Sequence, residues 1–266
     1  MEPDFSVSVM EATVMIEQDL GNRQRAIGTG FLVSDVAPDG QPRVVLVTAR
    51  HVFEGMTQPR LQVGFRAKIA QEWTYAPAQV DIRTAQGRPL WTAHPDRDIA
   101  LIELRVPKEY ADRAIPKAYL ADDDGGGDSV LPGDEFLALG YPRGLSSDAA
   151  GFPIMRTGRL ASYPAGGAGS PTFLLDFSVF PGNSGGPVLR APERGRAGSR
   201  PAVIAGLLTQ QVEVQRERMD IGIVTHARFV RETLGVLDGH PAPRRTARAS
   251  AIPGAVNALA LEWSGP

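Results

Sequence analysis

The sequence predicts an all-β protein, folded as two closed sheets in succession with one helix near the C-terminal end. Three observations carry this. The 266 residues include 29 Gly and 22 Pro, a punctuation that suits many short strands better than long helices. Apolar and β-branched runs of strand length recur along the whole chain, separated by turn-forming clusters. The length accommodates two small barrels with a sizeable core.

In chain order, Val7, Val9, Ala12, Val14 and Ile16 nearly alternate, which predicts a first strand over Phe5 to Glu17 with a break near Glu11. Gly28 to Val33 and Val44 to Thr48 read as a hairpin, because Asp35-Val36-Ala37-Pro38-Asp39-Gly40 between them is a turn cluster. Leu61 to Phe65, Trp73 to Val80 and Ile99 to Leu104 follow and complete a first sheet over about 5–115. Asp122 to Asp128 is an acidic, glycine-rich stretch at the junction of the halves. It reads as a solvated linker, since its carboxylates lack the spacing of a calcium loop.

The second half, about 130–238, repeats the habit at Glu135 to Leu139, Gly158 to Ser162, Thr172 to Val179, Pro187 to Leu189, Ala202 to Thr209 and Asp220 to Val224. After these, Phe229, Val230, Thr233, Leu234 and Leu237 have helical spacing, with Thr225 expected to cap the start and Gly239 to end it. Residues 239–266 form a tail that opens on the Pro-rich, basic stretch His240 to Arg245. Arg194 to Arg200 reads as an exposed basic loop able to receive an acidic regulator.

Composition narrows the function. A net charge of −2 supplies no field for nucleic acid or an anionic membrane. No apolar run reaches membrane-span length, and Met1 to Gln18 lacks a basic start and an apolar leader core, so a cytoplasmic location is expected, or a periplasmic one had a leader been removed. With no cysteine, disulfides, thiolate metal sites and a cysteine nucleophile are ruled out. The histidines His94, His226 and His240 show no metal spacing; no metal or cofactor is expected.

The chemistry concentrates in three places. In Pro181-Gly182-Asn183-Ser184-Gly185-Gly186-Pro187, glycines on both sides of a serine permit a tight turn whose N–H groups, those of Gly182 and Ser184, converge where an oxyanion could form. His51, in Val47-Thr48-Ala49-Arg50-His51-Val52, stands at the end of a strongly apolar strand, and a neutral imidazole there is suited to take a hydroxyl proton. Asp98 stands at the mouth of Ile99-Ala100-Leu101-Ile102, where a carboxylate needs a partner to offset desolvation; a histidine N–H supplies one and fixes its tautomer. Asp96, further from the apolar run, is the weaker rival.

Taken together, Gly28-Thr29-Gly30-Phe31, Thr48-Ala49-Arg50-His51-Val52, Asp98-Ile99-Ala100-Leu101, Gly140-Tyr141-Pro142 and Pro181 to Gly186 resemble the trypsin-like serine peptidases, nearest the cysteine-free, bacterial high-temperature-requirement or Deg-type branch. The resemblance spans about Phe5 to Leu237. It implies a chymotrypsin-like fold of two antiparallel Greek-key β-barrels over residues 1–238, with the active site in the cleft between them. It further implies Ser184 as nucleophile, His51 as general base, Asp98 as its orienting acid, and an oxyanion hole from the N–H groups of Gly182 and Ser184. The pocket for the substrate residue before the cut is implied near Ser178, Val179, Leu208, Thr209 and Gln210. No acid stands at its expected base, so a small or medium apolar residue should fit, Asp176 being the nearby carboxylate that a basic residue would need. A peptide or protein is the implied substrate, with a regulatory protein as a possible partner.

Two departures stand out. Digestive members carry aspartate before the serine and pair it with a newly cut N-terminal amine; Asn183 cannot form that pair, so activation by trimming is not expected. Deg-type relatives usually add a PDZ domain, for which the residues after Leu237 are too few. Gly182 to Gly186 also satisfies the G-x-S-x-G elbow of α/β-hydrolases, but Gly185-Gly186-Pro187 is a poor start for a helix and the order of the partners is wrong. The non-enzymatic alternative is a peptidase fold with a closed site that serves to bind a partner.

Overall fold

Phe5–Ala12 is a helix, α1, where alternation had suggested a strand. The Asp4 carboxylate accepts from Ser6 N at 2.9 Å, capping the first turn, and the buried residues Val9 and Ala12 lie one turn apart on the face turned inward. Alternating valines are compatible with either structure over so few residues, and the cap decides. The strand starts only at Thr13, whose hydroxyl donates back to Val9 O at 2.7 Å. This computed structural model describes residues 4–122, 130–163, 170–190, 202–215, 217–242 and 256–257.

The first sheet contains β1 (Thr13–Gly21), β2 (Gln24–Val36), β3 (Pro42–Thr48), β4 (Arg60–Ile69), β5 (Glu72–Asp81), β6 (Thr92–Ala93), β7 (Ala100–Leu104) and β8 (Ile115–Pro116). Its hydrogen-bonded order is β5-β4-β1-β2-β3-β7-β6, with β8 parallel to β2. The expected hairpin is β2 with β3, in a register that sets Phe31 opposite Val47 and Val33 opposite Val45. Both faces of β3 are buried, which is why it reads as an unbroken apolar run, Val44 to Val47. Among the described residues this sheet curls without a hydrogen-bonded seam between β5 and β6.

The second sheet contains β9 (Glu135–Gly140), β10 (Ile154–Leu160), β11 (Thr172–Asp176), β12 (Pro187–Arg190), β13 (Val203–Val214), β14 (Glu217–His226) and β15 (Val256–Asn257). Here β12-β9-β10-β11-β14-β13 closes through a β12–β13 pairing into a six-strand barrel, and β15 adds to the outer edge of β13. Its interior is Phe136, Leu160, Phe173, Leu175, Val188, Leu208 and Val224 with their neighbours. The larger core fills the first sheet and runs on through Leu189, Ile204 and Leu207 to α4 (Arg228–Leu237), whose Phe229, Val230 and Leu234 are buried.

Two short helices, α2 (Arg50–Gly55) and α3 (Lys108–Ala111), interrupt the first half. The C-terminal helix forms as its spacing predicts and ends at Gly239, φ +83°. Its N-cap is Ala227, not Thr225, because Thr225 is still in β14, where its hydroxyl meets Thr209 Oγ1 at 3.1 Å. The acidic stretch after Asp122, the loop Arg194 to Arg200 and all of the tail beyond residue 242 except 256–257 lie outside the described residues. Asp122 itself meets Arg231 of α4 at 2.7 Å.

Candidate active site

β3 stops at Thr48, and the chain turns at once into α2, so His51 sits in the first turn of a short helix and not at a strand end. Val52 and Phe53 anchor that helix in the core, Phe53 stacked on Trp91 with 5.9 Å between ring centroids. A helix start leaves backbone N–H groups without intrahelical partners, and Ala49 offers no side-chain cap. Asp98 serves both needs. Its Oδ1 accepts from His51 N at 3.0 Å, and its Oδ2 accepts from the ring Nδ1 of the same histidine at 2.7 Å.

Burial pushes the Asp98 carboxyl upward, but the hydrogen bonds and charge of His51, with a contribution from Arg50, outweigh it and hold the group below its usual range. An ionised carboxylate only accepts hydrogen bonds, so Nδ1 carries the proton and Nε2 presents its lone pair. The segment that bears Asp98 is fixed from behind: Asp96 N donates to His94 Nδ1 at 3.1 Å, leaving His94 Nε2–H to meet Glu232 of α4 at 3.2 Å. Asp96 is exposed and makes no bond to His51 among the described residues, so the rival acid is placed as a turn residue.

The glycine turn is built of conformations and contacts that only glycine permits. Gly182 has φ +94°, and a Cβ there would lie 2.2 Å from Tyr141 O; Gly185 has φ +87°, and a Cβ there would lie 2.2 Å from Thr48 Oγ1 and 2.9 Å from Ala49 N. The second contact presses the turn against the residues that lead into His51. Every backbone carbonyl from Pro181 to Asn183 is held: Pro181 O by Arg143 N at 2.6 Å, Gly182 O by Thr29 Oγ1 at 2.6 Å, Asn183 O by Gly186 N at 3.0 Å. By contrast, the N–H groups of Gly182 and Ser184 have no acceptor among the described residues. Two free donors beside a serine hydroxyl are the requirement for stabilising an oxyanion. The Ser184 hydroxyl is half-buried and makes no hydrogen bond to His51 among the described residues. Apo catalytic bonds are often long and tighten with substrate.

Several residues that position this turn carried no chemical signal in the sequence. Thr29, fully buried on β2, reaches across to the second barrel, where its N–H meets Ser184 O at 2.9 Å and its hydroxyl both donates to Gly182 O and accepts from Tyr141 N at 3.1 Å. Arg143, in the left-handed region at φ +53°, presents its N–H to Pro181 O. Behind it, the Arg66 guanidinium is buried with no carboxylate partner among the described residues and instead donates to Tyr141 Oη and to the carbonyls of Gly151, Met10, Glu11 and Thr13. Burial pushes the Tyr141 phenol up to about 12, against the opposing charge of Arg66. The GTGF and GYP strings were visible as motifs, but only the contact between the first sheet and the second barrel gives Thr29 and Tyr141 their work.

The residues expected to line the specificity pocket divide. Val179 and Leu208 point into the second barrel's core, where both crowd Gly222. Thr209 is buried, its hydroxyl directed at Ile223 O and Thr225 Oγ1. Ser178 and Gln210 remain half-buried. The backbone of Leu208 clasps the serine turn, its O accepting from Gly185 N at 2.7 Å and its N–H donating to Gly186 O at 2.9 Å. Asp176 is exposed on β11, so it supplies no buried acid for a basic substrate residue. No group of three or more metal-ligating side chains occurs among the described residues.

Known proteins agree with this architecture. Among solved structures, the chain is similar to the HtrA-type protease AlgW with a tripeptide (TM-score 0.55, 17% identity, 88% of this chain and 62% of that one). The same protease with a decapeptide gives a TM-score of 0.53 at 17% identity, over 87% and 66% of the two chains. An inactive form of Rv3671c from M. tuberculosis H37Rv gives 0.48 at 18% identity over 92% and 98%. The chain thus spans under two thirds of the length of the AlgW chains it matches, and at these identities the likeness concerns the fold. No curated protein sequence matches the chain. The family model described as the trypsin-like peptidase domain matches residues 28–197, from the strand that carries Thr29 to beyond the serine turn, and the chain belongs to that family.

Proposed function

We propose that the protein is a serine endopeptidase that cleaves peptide bonds through an acyl-enzyme, with Ser184 as nucleophile, His51 as general base and Asp98 as the orienting acid. The observation that carries this reading is the double grip of Asp98 on His51, which leaves Nε2 unprotonated, set in a fold that also leaves the N–H groups of Gly182 and Ser184 without acceptors. Ser184 Oγ attacks the scissile carbonyl as its proton passes to His51 Nε2, and the carbonyl oxygen becomes an anion held by the two free N–H groups. The imidazolium, stabilised by Asp98, then gives the proton to the leaving amine, and a water activated by the regenerated imidazole hydrolyses the ester.

Labelling of the purified protein with a fluorophosphonate, read by intact mass, tests this. The wild type gains one adduct and Ser184→Ala gains none; a folded wild type that stays unlabelled refutes an activated serine. The missing Ser184–His51 hydrogen bond favours a second reading, a site closed at rest that a peptide or a regulatory protein partner assembles. Labelling that is slow alone and accelerates when a peptide is added supports that second reading over the first.

A further inference from the structure

Phe180 stands immediately ahead of the oxyanion turn, and burial alternates along Phe177, Ser178, Val179 and Phe180, with the first and third turned into the barrel core and the second and fourth half-exposed. Two guanidinium groups converge on the Phe180 ring, that of Arg156 at 5.3 Å from its centroid and that of Arg143 at 5.8 Å. They arrive from different elements, Arg156 from β10 and Arg143 from the turn whose own N–H holds Pro181 O. Neither side chain has a carboxylate or hydrogen-bond partner among the described residues, although Arg156 is half-buried.

Stacking on an aromatic face orients a guanidinium but leaves its N–H donors at the ring edge unspent. Two like charges gathered at one ring also repel, and an anion between them removes that cost. The substrate's scissile carbonyl, in the peptidase reading, lies at Gly182, two residues from Phe180, so an anion near this ring belongs to a substrate residue close to the cut. We propose that Arg143 and Arg156, beside Phe180, form a subsite for a carboxylate of the peptide substrate within a few residues of the scissile bond. This inference rests on the serine-peptidase reading for its location. It gives the enzyme a preference that the uncharged pocket residues Ser178 and Gln210 do not supply.

The test uses the full chain and neutral, terminally amidated peptides in which a single glutamate is moved through the positions on both sides of the cut, each compared with its glutamine counterpart. At one position the glutamate peptide should have a kcat/KM about 3- to 10-fold higher, as expected for one or two partly exposed charge pairs. That ratio should shrink in Arg143→Gln and in Arg156→Gln, approach one in the double variant, survive in Arg156→Lys, and weaken with added salt. Because the ratio is taken within each variant, loss of folded protein cancels. Equal rates for every glutamate and glutamine pair, or a preference that persists in the double variant, overturn it; stacking on Phe180 alone predicts that outcome. Should the wild type cleave none of the peptides, the peptidase reading falls, and the same pairs are titrated onto Ser184→Ala by fluorescence anisotropy. Tighter glutamate binding that needs the two arginines then sustains the subsite, and equal binding removes it.

Discussion

Gly182→Ala isolates the oxyanion turn from the rest of the site. At φ +94° any residue with a Cβ is strained, a cost of about 1–3 kcal/mol. The Cβ also falls 2.2 Å from Tyr141 O, a backbone atom that Gly144 N holds at 2.9 Å and that therefore yields poorly. The turn must rotate by an ångström or so, which moves the Gly182 N–H away from the place where, in the peptidase reading, it and Ser184 N hold the oxyanion. Loss of one such donor costs about 10²- to 10³-fold in kcat. Gly40→Ala is the control: φ +83° imposes similar strain, but nothing lies within 4 Å of its Cβ, and the turn is on the β2–β3 hairpin away from the serine. Thermal melts and the rate of fluorophosphonate labelling, measured on both variants, should show comparable losses of stability but a collapse of labelling in Gly182→Ala alone. If Gly182→Ala labels within a few-fold of the wild type, or if both variants lose labelling in proportion to stability, the oxyanion role assigned to this turn is wrong.

Asp98→Asn keeps the hydrogen bond to His51 N but lets the side-chain amide donate to the ring, so that the proton sits on Nε2; kcat should fall about 10⁴-fold with little change in melting temperature. Thr29→Val strands both Gly182 O and Tyr141 N in the interior, at about 1–3 kcal/mol each, so it should melt several degrees lower and lose kcat more than KM, whereas Thr29→Ser keeps both. Asn183→Asp places a carboxylate at a site only 4% exposed, whose amide oxygen has no donor among the described residues. Its folded pKa rises above the unfolded value near 3.9, so its stability deficit should be small in acid and grow as pH rises. His94 behaves in the opposite sense: burial lowers its pKa despite the opposing pull of Glu232 and Asp96, so the unfolded chain takes up the proton first. Stability should be full above about pH 6.5 and fall as the pH drops toward the lowered folded value, a slope that melts of His94→Gln should lack.

How much of this was legible from residues alone depended on the range of the interaction responsible. Strand β3 was plain because both its faces are buried and Val44 to Val47 is an unbroken apolar run, and β7 because four of its five residues are buried and apolar, with Glu103 alone turned outward. The first helix was not, because Val7 and Val9 fit either period and the deciding contact is a local cap from Asp4. His51 and Asp98 stood out as polar residues against apolar strands, but the helix that carries His51 was hidden, since Arg50 to Gly55 is too short to display periodicity. The pocket suffered most. Ser178, Val179, Leu208, Thr209 and Gln210 were grouped by what the family resemblance implies, yet Val179, Leu208 and Thr209 are buried and Ser178 and Gln210 half-buried, a division set by the barrel core and by the register shift at Leu208 to Gln210 that no motif displays.

What replaces the N-terminal ion pair of the digestive peptidases follows from where Asn183 lies. With no charge at that position, the turn is fixed by neutral contacts from three sides: Thr29 from the first sheet, Leu208 from β13 and Arg143 from the loop after β9. That loop is in turn joined to α1 and β1 through Arg66, which shares its donors between Tyr141 Oη, Gly151 O and the carbonyls of Met10, Glu11 and Thr13. The two terminal nitrogens of this buried guanidinium bond only uncharged acceptors, while its Nε has no partner among the described residues, so no carboxylate there releases its hold on the loop by taking up a proton. The segment Met10 to Thr13 is joined to the serine turn by a short chain of contacts, since Arg66 meets Tyr141, the Tyr141 hydroxyl also donates to Thr13 O at 3.2 Å, and Tyr141 N meets the threonine that holds Gly182 O. Arg66→Met should accordingly loosen α1 and the 141–151 loop together, seen as matched gains in amide hydrogen exchange, whereas exchange that rises in one and not the other would show that the two are not joined through this side chain.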